Sequence, residues 1–199
     1  MPIRGIADHQ PKSKLAWTLN KLLKGAGTGA DPTEIPDPGW RVLAEVTPTV
    51  AVDYVDFTGL DINTDKFFLL LLTIKNPLAV SCDYYLFVEG DTVAANYYFQ
   101  WVQADGATLA AGRANSAAIC GIGVAGERVL GWAWITRDPD GYAKARGNEC
   151  RETGLNVQFV DIAWSKVATV TNITSLRVAA AVAGGIGIGS KLVLCRPRS

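Results

Sequence analysis

An all-β fold, an antiparallel β-sandwich of the jelly-roll or related Greek-key kind, is what the sequence predicts from Trp40 onward, preceded by a short N-terminal amphipathic helix and an extended linker. Three observations predict it. Apolar, β-branched and aromatic stretches recur about ten times between Trp40 and Cys195, each short enough for a strand. Turn chemistry separates them, as at Thr58-Gly59, Asn76-Pro77, Glu89-Gly90-Asp91, Asp105-Gly106 and Asp138-Pro-Asp-Gly141. No stretch past Lys24 carries a sustained helical period, so the elements must pair with one another as two packed sheets.

The first element expected is the helix. Leu15, Leu19, Leu22 and Leu23 recur at i, i+4, i+7 and i+8 and form one apolar stripe, with Lys12, Lys14, Lys21 and Lys24 on the other faces. Ser13 or Pro11 can start it and Gly25 can stop it. A helix of about a dozen residues is marginal alone, so its leucines need a partner surface. That surface is the chain's own sandwich or another subunit or protein. Gly25-Ala-Gly-Thr-Gly29, Asp31-Pro32 and Ile35-Pro36-Asp37-Pro38-Gly39 read as a tether and favour the second reading. Residues 1–39 are accordingly expected to be an anchor and tether, and residues 40–199 a sandwich domain.

The expected strands run over Arg41–Val46, Val50–Phe57, Lys66–Ile74, Cys82–Val88, Tyr97–Gln103, Ala117–Ile122, Arg128–Thr136, Val157–Lys166, Ile173–Ala181 and Lys191–Cys195. Tyr84-Tyr85-Leu86-Phe87-Val88 and Tyr97-Tyr98-Phe99-Gln100-Trp101 are aromatic on both faces, so their outer rings must be covered by the helix, a loop or a neighbouring subunit. The glycines from Gly184 to Gly189 make a permissive loop before the closing strand.

Composition bounds the function. The 199 residues, 49% hydrophobic and 19% charged, can bury one core of ordinary size. Nineteen basic residues balance nineteen acidic ones, which excludes an electrostatic footprint for wrapping a nucleic-acid duplex or lying on anionic lipid. The longest apolar run, Phe67 to Ile74, is too short to span a bilayer, and no signal-peptide pattern opens the chain, so a soluble protein made in a cytoplasm is expected.

No motif for chemistry survives inspection. Cys82, Cys120, Cys150 and Cys195 form no C-x-x-C pair, and the single His9 lies in the tail, so no zinc site is expected. The thiols read as lone, partly buried packing residues, with one or two disulfides formed outside a cell as the alternative. Gly121-Ile-Gly123-Val-Ala-Gly126 fits G-x-G-x-x-G, yet Arg128-Val-Leu-Gly-Trp-Ala-Trp-Ile follows as strand and not as a phosphate-binding helix. Asp61-Ile-Asn63-Thr-Asp65 copies the first half of a calcium loop, but Lys66 replaces the needed glycine and Leu72 the bidentate glutamate. Glu149 and Glu152 belong to no catalytic motif and are expected to be solvated. Neither catalytic residues nor a cofactor nor a metal are expected; the chain does not read as an enzyme.

Val55-Asp-Phe-Thr-Gly-Leu60, Phe67-Phe-Leu-Leu-Leu71, Glu89-Gly-Asp-Thr92 with Asn96-Tyr-Tyr-Phe-Gln100, and the ending Asn172-Ile-Thr-Ser-Leu-Arg177 with Ile188-Gly-Ser-Lys-Leu-Val-Leu194 carry a resemblance. Over Trp40 to Arg196 the chain resembles the jelly-roll module of tailed-bacteriophage virion proteins. The resemblance implies a capsid decoration protein, head fibre or small tail fibre, a homotrimer located on the virion, with no enzymatic activity. Cys195 stands where the family's Leu-Tyr ending has its tyrosine. The implied partners are a further two copies of the chain and other capsid or tail proteins, held through Leu15, Leu19, Leu22 and Leu23 and their lysines. The alternative is a tail-fibre or baseplate protein recognising host surface glycan, for which Trp101, Trp132, Trp134 and Tyr142 offer faces for stacking on sugar rings.

Overall fold

The computed structural model describes residues 21–24, 33–36, 39–105, 108–122, 126–153 and 156–198. Contacts divide them into two units, one holding the N-terminal strands with Arg198, the other Arg41–Pro197. In the first, β1 (Lys21–Lys24) pairs antiparallel with β2 (Thr33–Pro36), placing Leu22 opposite Ile35 and Leu23 opposite Glu34. Lys21, Leu22, Leu23 and Lys24, expected as the last turn of a helix, are therefore strand, and part of the expected tether is their partner. Pairing satisfies the backbone of these residues without a helical turn, and a helix this short has little of its own to set against that. Lys12, Lys14, Leu15 and Leu19 lie outside the described residues.

In the second unit the strands are β3 (Trp40–Val46), β4 (Tyr54–Thr58), β5 (Phe67–Lys75), β6 (Cys82–Val88), β7 (Tyr97–Asp105), β8 (Thr108–Ala114), β9 (Ala118–Ile122), β10 (Arg128–Arg137), β11 (Tyr142–Thr153), β12 (Asn156–Thr169), β13 (Ser175–Ala180) and β14 (Lys191–Pro197). One turn of helix, α1 (Ile62–Asp65), and a short 3-10 turn at Ala94–Asn96 complete it. The large sheet runs β3-β14-β5-β10-β11-β12-β7-β8 and the small sheet β4-β13-β6-β9.

The order is nested. Leaving aside β7, β8, β11 and β12, the first strand lies beside the last, the second beside the second-last, and so inward: β3 with β14, β4 with β13, β5 with β10, β6 with β9. The four strands left aside form two hairpin insertions that widen the large sheet beyond β10.

Period-two patterning decides which face is buried. Along β5, Phe68, Leu70, Leu72 and Ile74 are buried and meet Val129 and Ile135 of β10 and Leu192 and Leu194 of β14 in one core with Val55, Phe57, Tyr84, Leu86, Leu176 and Val178 of the small sheet. The Tyr84 hydroxyl donates to the Gly185 carbonyl at 2.7 Å, so the ring can be fully buried without an orphaned oxygen. The insertions add an aromatic seam in which Tyr97 stacks on Trp164, with centroids 4.9 Å apart, and packs against Phe87 at 5.7 Å. The Tyr97 hydroxyl donates to the Asp91 carbonyl at 2.7 Å.

β11 closes on β10 because Gly147 has no side chain. A Cβ there would collide with the Trp132 carbonyl and meet Ala133 Cα at 3.0 Å.

The residues that carry the phage resemblance have structural roles. Arg177 grips Asp56 with two hydrogen bonds of 2.6 and 2.8 Å and lies 3.8 Å from the Tyr54 ring centre, tying β13 to β4. Glu89, at φ 54, accepts from the backbone N–H and hydroxyl of Thr174 and from the Ser175 N–H at 3.0 Å. A carboxylate thus fixes the entry to β13.

Candidate binding face

The feature with the character of a site lies on the outer face of the large sheet, over the two insertions. Because side chains alternate, the even-numbered residues of β10, β11, β7 and the odd-numbered residues of β12 share that face. Strand register places them in rows. One row is Trp134, Arg146, Ala163, Gln100 and Arg113, from β10 across to β8. The next is Thr136, Lys144, Ser165 and Tyr98. In the opposite direction come Leu71, Trp132, Asn148, Asp161 and Val102, then Thr73, Leu130, Cys150, Phe159, Ala104 and Leu109.

The first two rows enclose an open concavity of about 870 Å³. Ala163 and Ser165 form a low floor along β12. Trp134, Lys144 and Arg146 rise on one side, Tyr98, Gln100 and Arg113 on the other. Its lining has three cations and no carboxylate. Lys144 donates to Asp138 at 2.7 Å, a bond that holds the lysine above its ordinary range and the aspartate below its own. Arg146 meets Asp161 at 3.3 Å with both side chains largely exposed, and Arg113 has no ion-pair partner among the described residues. A smaller hollow of about 400 Å³ continues the face, lined by Trp132, Trp134, Arg146, Asn148, Phe159 and Asp161. The far rows differ in character: Leu130 is 62% exposed and Leu109 79%.

Of the aromatics singled out for sugar stacking, the fold brings Trp132 and Trp134 together, edge to face at 6.5 Å. Trp134 also packs on Phe67 at 5.2 Å. Tyr142 stands at the start of β11, half exposed, and does not line either hollow. Trp101 belongs to the opposite face of β7, lying over Gly112, whose added Cβ would meet the indole at 2.8 Å. It lines a separate hollow with Phe99, Gln103 and Glu149. Glu149 is buried and not solvated, because β11 alternates Ala143, Ala145, Gly147 and Glu149 inward with Lys144, Arg146 and Asn148 outward.

Sequence reasoning passed over Tyr98, Gln100, Arg113, Lys144 and Arg146 as binding residues. The signal present was Tyr142-Ala-Lys-Ala-Arg-Gly-Asn-Glu, a strict small-in, polar-out alternation without a β-branched residue.

The calcium-like carboxylates are committed elsewhere. Asp61 caps α1, accepting from Asn63 N–H at 3.1 Å, Thr64 Oγ1 at 2.6 Å and Asn172 Nδ2 at 3.0 Å. These bonds, the Thr64 hydroxyl first, hold its carboxyl below the usual range. Asp65 pairs with Arg196 at 2.5 Å. No group of three or more potential metal ligands occurs among the described residues, and no helix there is long and apolar enough to cross a membrane.

A scan of protein-family models and searches of curated proteins and of solved structures give no match to this chain.

Proposed function

We propose that the chain is a structural protein of a tailed-phage virion, a jelly-roll homotrimer displayed on the particle as a capsid decoration or head-fibre protein and held by its N-terminal segment. The observation that carries the reading is the nested strand order, β3-β14-β5-β10 in one sheet and β4-β13-β6-β9 in the other. A long hairpin rolled up on itself has that order. Jelly rolls of this kind build capsid and lectin domains.

The far rows of the outer face favour contact between copies, as a homotrimer requires. Leu71, Leu130, Phe159, Val102 and Leu109 are all exposed on one end of one sheet, an apolar surface of the sort that another copy covers. Purified virions from the source culture, probed with antibody against the chain, test the reading. Many copies per particle support it; absence from the particle overturns it. A few dozen copies or fewer point to a fibre.

A second reading, recognition of host surface glycan, is favoured by the pairing of Trp132 and Trp134 beside an open hollow. Aromatic faces with nearby hydrogen-bonding groups suit sugar rings.

A further inference from the structure

We propose that the concavity along β12 binds an acidic oligosaccharide, its carboxylate or sulfate groups held by Arg113, Lys144 and Arg146 and its ring faces by Trp134 and Tyr98. The inference rests on the glycan reading above and names the class of glycan.

The shape comes from side-chain size. Ala163 and Ser165 are short where their neighbours across the sheet are long, so β12 becomes a valley between two walls. Arg146 on β11 and Arg113 on β8 are separated by three strand spacings, about 14 Å. That span accommodates a flexible chain of sugar rings lying along the floor, whereas a single small anion would touch only one wall.

The chemistry comes from charge. The whole chain is neutral, yet the charged side chains that line this hollow are three cations, of which Lys144 and Arg146 are paired with Asp138 and Asp161 beside it. Arg113 is on the edge strand and carries its charge without an acidic partner among the described residues. The Arg146 pair with Asp161 is exposed, so it contributes little and a ligand carboxylate can replace it. Guanidinium forks match carboxylate and sulfate oxygens in two bonds at once. Gln100 supplies an amide between the two arginines in the same row. A nucleic acid fits less well, since three cations release few counterions and Trp134 and Tyr98 stand on opposite walls with no ladder of rings for successive bases.

The test uses the full-length protein on a surface printed with hexagalacturonate, its fully methyl-esterified form, a chondroitin sulfate hexasaccharide and maltohexaose, followed by calorimetric titration in low salt and in 0.5 M salt. The expected result is binding to the two acidic probes, weakened about tenfold or more by esterification, by Arg113→Ala and by high salt. Ala163→Phe, which fills the floor without changing charge, abolishes it. Circular dichroism and sedimentation confirm that each variant remains folded and assembled as the parent. Equal binding of the acidic and esterified probes, unaffected by Arg113→Ala, overturns the acidic class and leaves glycan recognition standing. Failure of all four probes at millimolar concentration overturns both. Displacement of the acidic probes by a decathymidylate strand at equal concentration assigns the groove to nucleic acid and overturns the proposal.

Discussion

Lys166 donates to Asp91 from a nearly sealed position on β12, its ammonium 4.9 Å from the centre of the Tyr97 ring. The pair connects the second hairpin insertion to the turn that follows β6, and the same Asp91 carboxylate accepts from Asn96 Nδ2 at 3.0 Å and from the Val93 N–H at 3.2 Å. Asp91→Asn leaves a buried ammonium without its counter-charge. The expected cost is about 2 to 4 kcal/mol, at or below the usual range for a broken buried pair because Asp91 retains some contact with water. Urea denaturation measures it.

The same carboxylate gives a pH dependence. Burial is the largest single influence on Asp91 and raises its pKa, but the bonds from Lys166, Asn96 and Val93 together outweigh it, and the net shift is downward. A lowered folded pKa means that the stabilisation is fully present above the unfolded value, about 3.9, and is lost as pH falls through the folded value. Thermal melts between pH 6 and pH 2 should show a decline below about pH 4. In Asp91→Asn the decline should be shallower.

Cys82, Cys120 and Cys195 are buried and in no disulfide, and Cys150 is exposed on the apolar end of the outer face. Burial raises the Cys195 pKa, which further lowers its reactivity. A thiol reagent applied to the native protein should therefore spare three cysteines until the chain unfolds. If the apolar rows are the contact between copies, Cys150 is protected in the trimer and reacts quickly in Leu130→Asp, which sediments as monomer. A trimeric Leu130→Asp places the contact elsewhere.

Gly147→Ala drives a methyl into the Trp132 carbonyl in the centre of the large sheet. A loss of about 1 to 3 kcal/mol is expected, the usual cost of overpacking, and more if β10 and β11 cannot separate. Gly126→Ala meets nothing within 4 Å and bears only the strain of a positive φ, about 1 to 2 kcal/mol. Equal losses for the two would mean that close strand approach has no bearing on the choice of glycine at 147.

Trp164 is buried, and its indole N–H has no hydrogen-bond partner among the described residues. Trp164→Phe keeps an aromatic ring against Tyr97 and removes a donor that has no acceptor. The lost area and the relieved desolvation oppose each other, so the change in stability should stay below about 1.5 kcal/mol. A loss beyond 3 kcal/mol would falsify this account of the indole.

Strands with β-branched and aromatic residues were legible in the sequence: β5, β6, β10 and β14 lie within a residue or two of where Phe67-Phe-Leu-Leu, Cys82-Asp-Tyr-Tyr, Val129-Leu-Gly-Trp and Leu192-Val-Leu put them. β8 and β11 were not. Thr108-Leu-Ala-Ala-Gly-Arg-Ala has the intrinsic preference of a loop or helix, and β11 is written in alanine, glycine and charge; both become strands because a neighbour offers a ladder, and their small residues are what lets the sheets close. The binding face followed the same division. Trp132 and Trp134 could be named as a pair two residues apart, whereas Trp101 could not be assigned to a face, since a strand aromatic on both sides gives no phase. Arg113, Gln100 and Arg146 meet only through three strand registers that local sequence does not encode.

Asp56 and Arg177 stand 121 positions apart in the chain, and β14 fits between β3 and β5. During synthesis β5 therefore waits, one of its edges open, until residues 191–197 leave the ribosome. Such late, distant closures make for slow folding and a period of exposed strand edge. Nascent chains arrested before Lys191 should bind chaperones or one another, whereas chains in which β14 has filled the gap between β3 and β5 should not.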